Sequence, residues 1–310
     1  MKLKILLLIV FVFFQNRAFS QSIYSESPLN AKFETNDAKI FWNAFDKMKN
    51  STENPFIDYV EKGSAGVKGF TQSRIINADS LFVMVKKRKN DYEASRNVLD
   101  GISGKEKRVL AIYSALKYWY PNAKFPHVYF VYGRFNSGGT SSDAGIIIGT
   151  EMLKNLDGVT GLIAHELIHY QQKIEGKDLL LKWTLNEGGA DFIGEFISGE
   201  AINGAAYKYG EQNIDKLCRE FITKLKEKDY QDWLYGTSGK DDRPNDLGYW
   251  IGYKIIEAYF NKQEDKQKGI NDIINIKDPL LFLKQSGFLD SYIKEYEKSK
   301  KQNFEDFFKN

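Results

Sequence analysis

Apolar residues recur at helical spacing along most of the chain, so the sequence predicts a largely helical protein. The predicted helices cover residues 36–48, 80–98, 105–119, 159–174 and 184–197, and helical patterning dominates from there to Asn310. The spacing changes in the middle of the chain. There, β-branched and aromatic residues at 128–132 and the run AGIIIG at 144–149 predict two strands. The polar, glycine-containing residues between them, 136–143, predict a loop.

The predicted strand at 144–149 is apolar on both faces, which leaves its place in a sheet open. It is either an exposed edge along which an extended peptide could lie by β-augmentation, or an interior strand. No internal repeat, low-complexity tract or linker divides the chain. The sequence therefore predicts an α+β fold in one domain covering residues 21–310, mostly helical, with a small sheet.

Residues 1–20 have the features of a secretory signal peptide. A short basic start is followed by an apolar run at 5–14, and Ala18 and Ser20 provide small residues before a cleavage site that makes Gln21 the first mature residue. The apolar run is too short to span a bilayer. We therefore expect an exported protein, periplasmic or extracellular, without stable membrane insertion after cleavage.

Charge and cysteine content narrow the class of protein further. The formal net charge of the chain is +3, and the leader contains three basic residues and no acid, so the mature chain is neutral. A neutral chain does not suggest a nucleic-acid partner. The single cysteine, Cys218, excludes an internal disulfide and lies in an apolar helical stripe, where we expect a buried thiol.

The run HELIH, from His165 to His169, is the most informative motif in the sequence, and it contains two of the three histidines. Side chains four residues apart are neighbours on a helix, so the two imidazoles can bind one zinc ion. Glu166 lies beside the first of them and can act as a general base on water. The sequence therefore predicts a zinc hydrolase site on the helix at 159–174.

Zinc needs a third protein ligand, and Glu187 is the best candidate. Asp191 lies one turn later on the same helical face, where it can accept the second ring N–H of a zinc-binding histidine. The alternative third ligands are Asp191 itself and Glu195. A competing interpretation makes Thr184 and Glu187 a capping box at the start of a helix. Gly188 and its neighbour Gly189 would allow this helix and the histidine helix to approach closely.

The HELIH run with a later Glu-x-x-x-Asp resembles the gluzincins, the thermolysin-like clan of zinc metallopeptidases. The resemblance implies that His165, His169 and Glu187 bind one Zn²⁺ per chain, that Glu166 is the base and that Asp191 orients a ligand. It also implies a zincin-like metallopeptidase fold, with a small sheet beside the HExxH helix, and a peptide or protein substrate. The GxMEN signature of the clan's aminopeptidases is absent, so the resemblance does not extend to specificity for a free amino terminus.

The chain also resembles an uncharacterised bacterial family of predicted zinc-dependent proteases. This wider resemblance rests on three features: the GGT triplet at 138–140, the isoleucine-rich strand at 146–148 ahead of the zinc helix, and the GYxxGY pattern at 248–253 after it. Within the last segment, Tyr249 and Tyr253 are four residues apart and predicted to share a helical face. Both are candidates for the side chain that stabilises the oxyanion.

Taken together, the motifs predict an exported zinc-dependent peptidase. Two other classes share these features. One is a non-catalytic envelope or motility-associated protein on a metallopeptidase scaffold, which would have no need for Glu166. The other is a zinc amidase that cleaves cell-wall bonds with the same zinc, water and base.

Overall fold

The computed structural model describes residues 24–48, 53–230, 232–235 and 243–309. The predicted signal peptide lies outside these ranges. Fifteen α-helices occur within them: α1 Asn36–Lys47, α2 Ile57–Lys62, α3 Ala65–Phe70, α4 Ala78–Lys87, α5 Lys89–Ala94, α6 Ser103–Trp119, α7 Val159–Gln171, α8 Leu180–Ser198, α9 Gly204–Gln212, α10 Ile214–Lys224, α11 Leu247–Lys262, α12 Lys266–Ile274, α13 Pro279–Ser286, α14 Asp290–Lys300 and α15 Phe304–Lys309. None of these helices is long and apolar enough to cross a membrane.

The strands of the described part form two small sheets: β1 Tyr24–Ser25, β2 Phe33–Glu34, β3 Phe125–Pro126, β4 Val128–Val131, β5 Gly139–Ser142 and β6 Gly145–Gly149. β1 pairs with β3, and the larger sheet has the order β2–β4–β6–β5. The first three strands of the larger sheet are parallel, whereas β5 runs antiparallel to β6. The predicted α+β, mostly helical fold is confirmed, and β5 and β6 both contact α7, the helix that carries HELIH.

Both faces of the larger sheet are covered. Phe130 and Ile148 point into a hydrophobic cluster shared with α6, α7 and the later helices. Tyr129 and Ile147 point into a second cluster, formed with α1 to α5. Successive side chains of a strand face opposite sides of the sheet. Since both sides are covered here, every residue of β4 and β6 is buried. Cys218 is buried in the first cluster, as predicted.

The structure corrects two of the predicted elements and decides between the two alternatives left open for a third. The predicted loop at 136–143 contains β5, and the strand predicted at 144–149 is an interior strand between β4 and β5. The exposed edge nearest α7 is therefore β5 rather than β6. The helix predicted at 80–98 is two helices, α4 and α5, because Arg88 leaves helical geometry between them.

Helix α8 begins earlier than the sequence predicts. The N–H groups of Leu180 and Leu181, which have no partner within the helix, donate to the carbonyl oxygens of Glu227 and Leu225 at 2.8 and 2.9 Å. The helix end is thus satisfied by backbone rather than by a capping side chain. Thr184 lies inside the helix, so the capping-box interpretation of Thr184 and Glu187 is wrong.

Glycines let α8 pack closely between α7 and α11. Gly188 meets Gly252 of α11, where a Cβ atom on Gly252 would lie 2.0 Å from the carbonyl oxygen of Thr184. Close approach to the backbone of α7 occurs at Gly194, where a Cβ atom would lie 3.2 Å from the backbone nitrogen of His165. At Gly189, a Cβ atom would lie 3.1 Å from the side-chain Nε2 of Gln172, the residue that follows α7. The close approach predicted between α8 and α7 therefore involves Gly189 and Gly194, whereas Gly188 serves the contact with α11.

Candidate metal centre

Helix α7 presents His165 and His169 on one face, one turn apart. The helix starts after Gly158, which has a left-handed backbone (φ 69°) that glycine adopts without strain. The two Nε2 atoms lie 2.9 Å from each other. His165 is buried and His169 is half-buried, so the two imidazoles are held by packing.

Glu187 reaches the same point from α8. Its Oε2 atom lies 3.0 Å from Nε2 of His169 and 3.5 Å from Nε2 of His165. These three side chains form a group of possible metal ligands whose donor atoms all lie within 4.8 Å of one another. Of the three sequence candidates for the third ligand, Glu187 joins this group, whereas Asp191 and Glu195 do not.

Hydrogen bonds on the far side of each ring define its tautomer. Nδ1 of His165 lies 2.7 Å from Oδ1 of Asp191, and Nδ1 of His169 lies 2.7 Å from Oε1 of Gln172. Gln172 donates its amide N–H to the carbonyl of Asn186 at 2.7 Å, so its oxygen faces the ring. The amide nitrogen of Asn186 is farther from the same ring nitrogen, at 3.2 Å. Each Nδ1 atom therefore carries a proton, and each Nε2 atom is the ring nitrogen left to bind a proton or a cation at the cluster.

Three acceptor atoms thus converge on one point: two imidazole lone pairs and a carboxylate oxygen. Such an arrangement is repulsive unless a proton or a cation lies between the acceptors. Two imidazole nitrogens and one carboxylate oxygen are also a donor set that zinc takes in catalytic sites. The residues present therefore fit a bound divalent metal ion.

The pKa shifts of the clustered side chains also indicate that this point favours positive charge. Burial opposes protonation of His165, but hydrogen bonds to Asp191 and Glu187 outweigh it and raise the pKa of the ring well above its usual value. Burial also opposes ionisation of Glu187, yet His169 and His165 hold the pKa of this carboxyl well below its usual range. A site that stabilises imidazolium in this way would also stabilise a metal cation.

Asp191 is fixed by contacts on both of its oxygens. While Oδ1 faces His165, Oδ2 accepts hydrogen bonds from Nδ2 of Asn203 at 2.7 Å and from the hydroxyl of Tyr207 at 2.9 Å. The carboxylate is buried. It is therefore positioned to hold the His165 ring rather than to join the ligand group.

Glu166 is buried next to the cluster, with its carboxyl group against β5. A Cβ atom on Gly139 of that strand would lie 2.7 Å from Oε1 of Glu166, so a side chain at this position would displace the carboxyl group. Burial raises the pKa of Glu166, and the neighbouring His169 and His165 partly offset this effect.

The structure separates the two tyrosines that the sequence singled out. Tyr249 lines the cleft, and its ring lies nearly parallel to that of His165, with 6.1 Å between the centroids. Tyr253 does not line the cleft; it packs edge-on against Phe192 and Tyr207.

A third tyrosine, Tyr235, contacts the ligand group although no motif marks it in the sequence. Its hydroxyl donates a hydrogen bond of 2.5 Å to Oε1 of Glu187. The residue has a left-handed backbone (φ 56°) and is held by its own N–H, which donates to Asp246 at 3.0 Å. Only the folded chain brings Tyr235 to Glu187, 48 residues away.

The histidine and carboxylate cluster lies in a cleft of about 1150 Å³. Most of its lining comes from three parts of the chain: residues 135–141, which include most of β5; the facing sides of α7 and α8; and four residues before or at the start of α11, namely Tyr235, Asn245, Asp246 and Tyr249. Single residues from other segments complete it: Arg74, Met152, Ile202 and Asn203. Most of the lining side chains are polar, and the apolar ones are Phe135, Met152, Leu162, Trp183 and Ile202. The cleft is large enough for several residues of a peptide.

His127, the third histidine, lies outside this cleft. Its Nδ1 accepts the backbone N–H of Lys32 at 3.1 Å, next to the point where β2 pairs with β4.

Residues 131–277 match the model of a family described as predicted Zn-dependent protease (DUF2268). The matched stretch includes α7 and α8 and hence every residue of the candidate metal site. The match therefore supports a relationship between this chain and a family of predicted zinc proteases. No curated protein and no solved structure matches the chain.

Proposed function

We propose that this protein is a zinc-dependent peptidase of the gluzincin type. The observation that carries the proposal is the convergence of His165, His169 and Glu187, with Nε2 and Oε2 atoms 2.9 to 3.5 Å apart, beside the buried carboxyl group of Glu166. The family match points to the same activity. In this proposal the three side chains hold one Zn²⁺, because imidazole and carboxylate ligands in a small, closed set suit zinc better than magnesium or calcium.

Zinc, when bound, supplies Lewis-acid chemistry: it polarises a carbonyl group and makes water more acidic. The side chains around it perform the remaining tasks. Glu166 accepts a proton from the attacking water and returns it to the leaving amine. Asp191 keeps the His165 ring in the tautomer whose Nε2 faces the cluster, and Gln172 does the same for His169.

The cleft also suits an extended peptide. β5 is one of the two edge strands of the larger sheet in the described ranges, and it borders the cleft. A peptide can pair with such an edge through its backbone, and at Gly139 this would bring it next to Glu166. A scissile carbonyl bound there would have the hydroxyl of Tyr249 as a donor to the developing oxyanion. The hydroxyl of Tyr235 could take this role only by exchanging its hydrogen bond to Glu187 for one to the oxyanion.

Export is part of the proposal and rests on the pattern of residues 1–20. A secreted or periplasmic peptidase would act on proteins or peptides outside the cytoplasm. The amidase alternative uses the same residues on a different amide bond, so the substrate decides between them.

Metal content tests the ligand set directly. We expect elemental mass spectrometry of the mature chain to find about one zinc ion per molecule and a sharp loss in Glu187→Ala. Glu195→Ala is the matched control, because this acid lies two turns further along α8 outside the ligand group. Equal zinc in the wild-type chain and Glu187→Ala would contradict the ligand set.

Digestion assays then test the reaction. We expect the zinc-loaded chain to cleave unfolded proteins or short peptides. Cleavage of purified peptidoglycan alone would favour the amidase. A zinc-loaded chain that cleaves neither substrate would favour a binding protein on a metallopeptidase scaffold.

A further inference from the structure

Arg74 lines the cleft that contains the candidate metal centre. The cleft is lined by the carboxylates Glu166, Glu187 and Asp246, and Arg74 is the one lysine or arginine among its described lining residues. Arg74 and Glu166 line the same cleft. The guanidinium group therefore shares the cleft with the residue proposed as the base.

The guanidinium group of Arg74 is uncommitted. It donates no hydrogen bond to a described residue and forms no ion pair with one, and its Nε atom is buried without an acceptor. The other arginines of the described ranges all donate at least one side-chain hydrogen bond: Arg88, Arg96, Arg108, Arg134, Arg219 and Arg243. Arg74 is therefore the arginine of the described ranges whose side chain lacks an acceptor among the described residues. A buried donor without a partner costs free energy.

The backbone of Arg74, by contrast, is firmly held. Its carbonyl oxygen accepts hydrogen bonds from Nε of Arg134 at 2.7 Å and from Nδ2 of Asn136 at 3.1 Å. These bonds tie it to the loop that leads into β5. The position of Arg74 relative to the edge strand is therefore fixed, while its charged end stays available.

Local strain accompanies this arrangement. Arg74 lies in a π-helical turn, Thr71–Ile75, and Ile76, the residue after this turn, has φ 73°. A β-branched residue is strained in that conformation, and both π-turns and strained backbone occur preferentially at functional sites. The turn projects Arg74 into the cleft at this cost.

We infer that Arg74 is a specificity-determining residue that binds a carboxylate of the peptide substrate close to the scissile bond. The inference rests on the proposed peptidase function. A guanidinium group offers a planar pair of donors that matches a carboxylate in charge and geometry. Two sources share this chemistry: the carboxy terminus of a peptide, and an aspartate or glutamate side chain.

Binding of two matched ligands tests the inference without turnover. One ligand is a hydroxamate on a short acyl chain that ends in a carboxylate; the other is the same compound ending in a carboxamide. Calorimetry on the zinc-loaded wild-type chain should show the carboxylate compound binding at least about tenfold more tightly, the size expected for a charged hydrogen-bonded pair. Arg74→Gln should abolish this preference, Arg74→Lys should retain part of it, and the exposed control Arg219→Gln should leave it unchanged.

A wild-type chain without the preference, or a preference that survives in Arg74→Gln, would overturn the assignment of Arg74 while leaving the metal site intact. If the wild-type chain holds no zinc and binds neither hydroxamate, the proposed function fails and this inference fails with it. The two failures are therefore distinguishable.

Cleavage assays identify the source of the carboxylate. Peptides with free and amidated carboxy termini, and peptides with Glu or Gln near the cleaved bond, are compared by kcat/KM. Loss of cleavage on amidation would assign the terminal carboxylate, and loss on the Glu-to-Gln exchange would assign a side chain. In either case the sensitivity should disappear in Arg74→Gln, and insensitivity to both exchanges in the wild-type chain would overturn the inference.

Discussion

The Nδ1 atom of His165 lies 2.7 Å from Oδ1 of Asp191, and both side chains are buried. Because Asn203 and Tyr207 hold the other oxygen of Asp191, the carboxylate cannot rotate away from the ring. The position of the His165 lone pair is therefore set from α8, one turn beyond Glu187. A metal ion bound by these residues would depend on Asp191 without touching it.

Asp191→Asn should weaken zinc binding by about 10- to 100-fold, because the amide can present an N–H to the ring and reverse its tautomer. Competition with a chelator of known affinity measures the change. Tyr207→Phe is the matched control: it removes one of the contacts to Asp191 and keeps the carboxylate, so the loss should be smaller. Unchanged zinc affinity in Asp191→Asn would show that the tautomer of His165 does not control the site.

Glu166→Gln should retain zinc and lose turnover. The amide preserves size and polarity but cannot accept and return a proton, and a general base contributes about 10²- to 10⁴-fold to a rate. Zinc content and kcat are measured on the same preparation, with Glu195→Gln as a carboxylate-to-amide control outside the cluster. A zinc-loaded Glu166→Gln chain with wild-type kcat would remove Glu166 from the mechanism.

The proximity of His165, His169 and Glu187 could be predicted from the sequence because it depends on local spacing. Two histidines one turn apart face the same way on any helix. A carboxylate on the following helix can reach them when that helix packs back against the first. The orienting role predicted for Asp191 agrees with its contact to His165 for the same reason, since it lies one helical turn after Glu187.

The parts that the sequence did not predict depend on contacts between distant segments. β5 consists of Gly, Thr and Ser, which have little hydrophobic pattern, and it forms a strand because it pairs with β6. The start of α8 has no capping side chain, because backbone carbonyls some 45 residues away accept its N–H groups. Tyr235 and Arg74 reach the cleft from segments that carry no motif, so only the fold reveals them.

Tyr249→Phe and Tyr253→Phe should behave differently. If the hydroxyl of Tyr249 stabilises the oxyanion, its loss should lower kcat by about 10²-fold with little change in KM. Tyr253 packs against Phe192 away from the cleft lining, so its Phe variant should stay within about twofold of wild type. Steady-state kinetics on one peptide measures both. A normal kcat in Tyr249→Phe would transfer the donor role to Tyr235.

Glu151 should make stability depend on pH. Its buried carboxyl group accepts the N–H groups of Gly133 at 2.9 Å and Phe135 at 3.1 Å, and burial raises its pKa to about 7 despite these bonds. An unfolded glutamate titrates near 4.3. Between the two values the folded chain holds the proton more tightly, so this group lowers the free energy of unfolding as the pH rises towards 7.

Urea unfolding of the wild-type chain and Glu151→Gln at pH 5 and pH 8 measures this contribution. We expect the free energy of unfolding of the wild-type chain, relative to the variant, to fall by roughly 2 to 3 kcal/mol between the two pH values. Glu61→Gln, an exposed substitution on α2, should show no such change. If the difference between wild type and Glu151→Gln is the same at both pH values, Glu151 titrates like an exposed acid. Its two backbone hydrogen bonds would then compensate fully for burial.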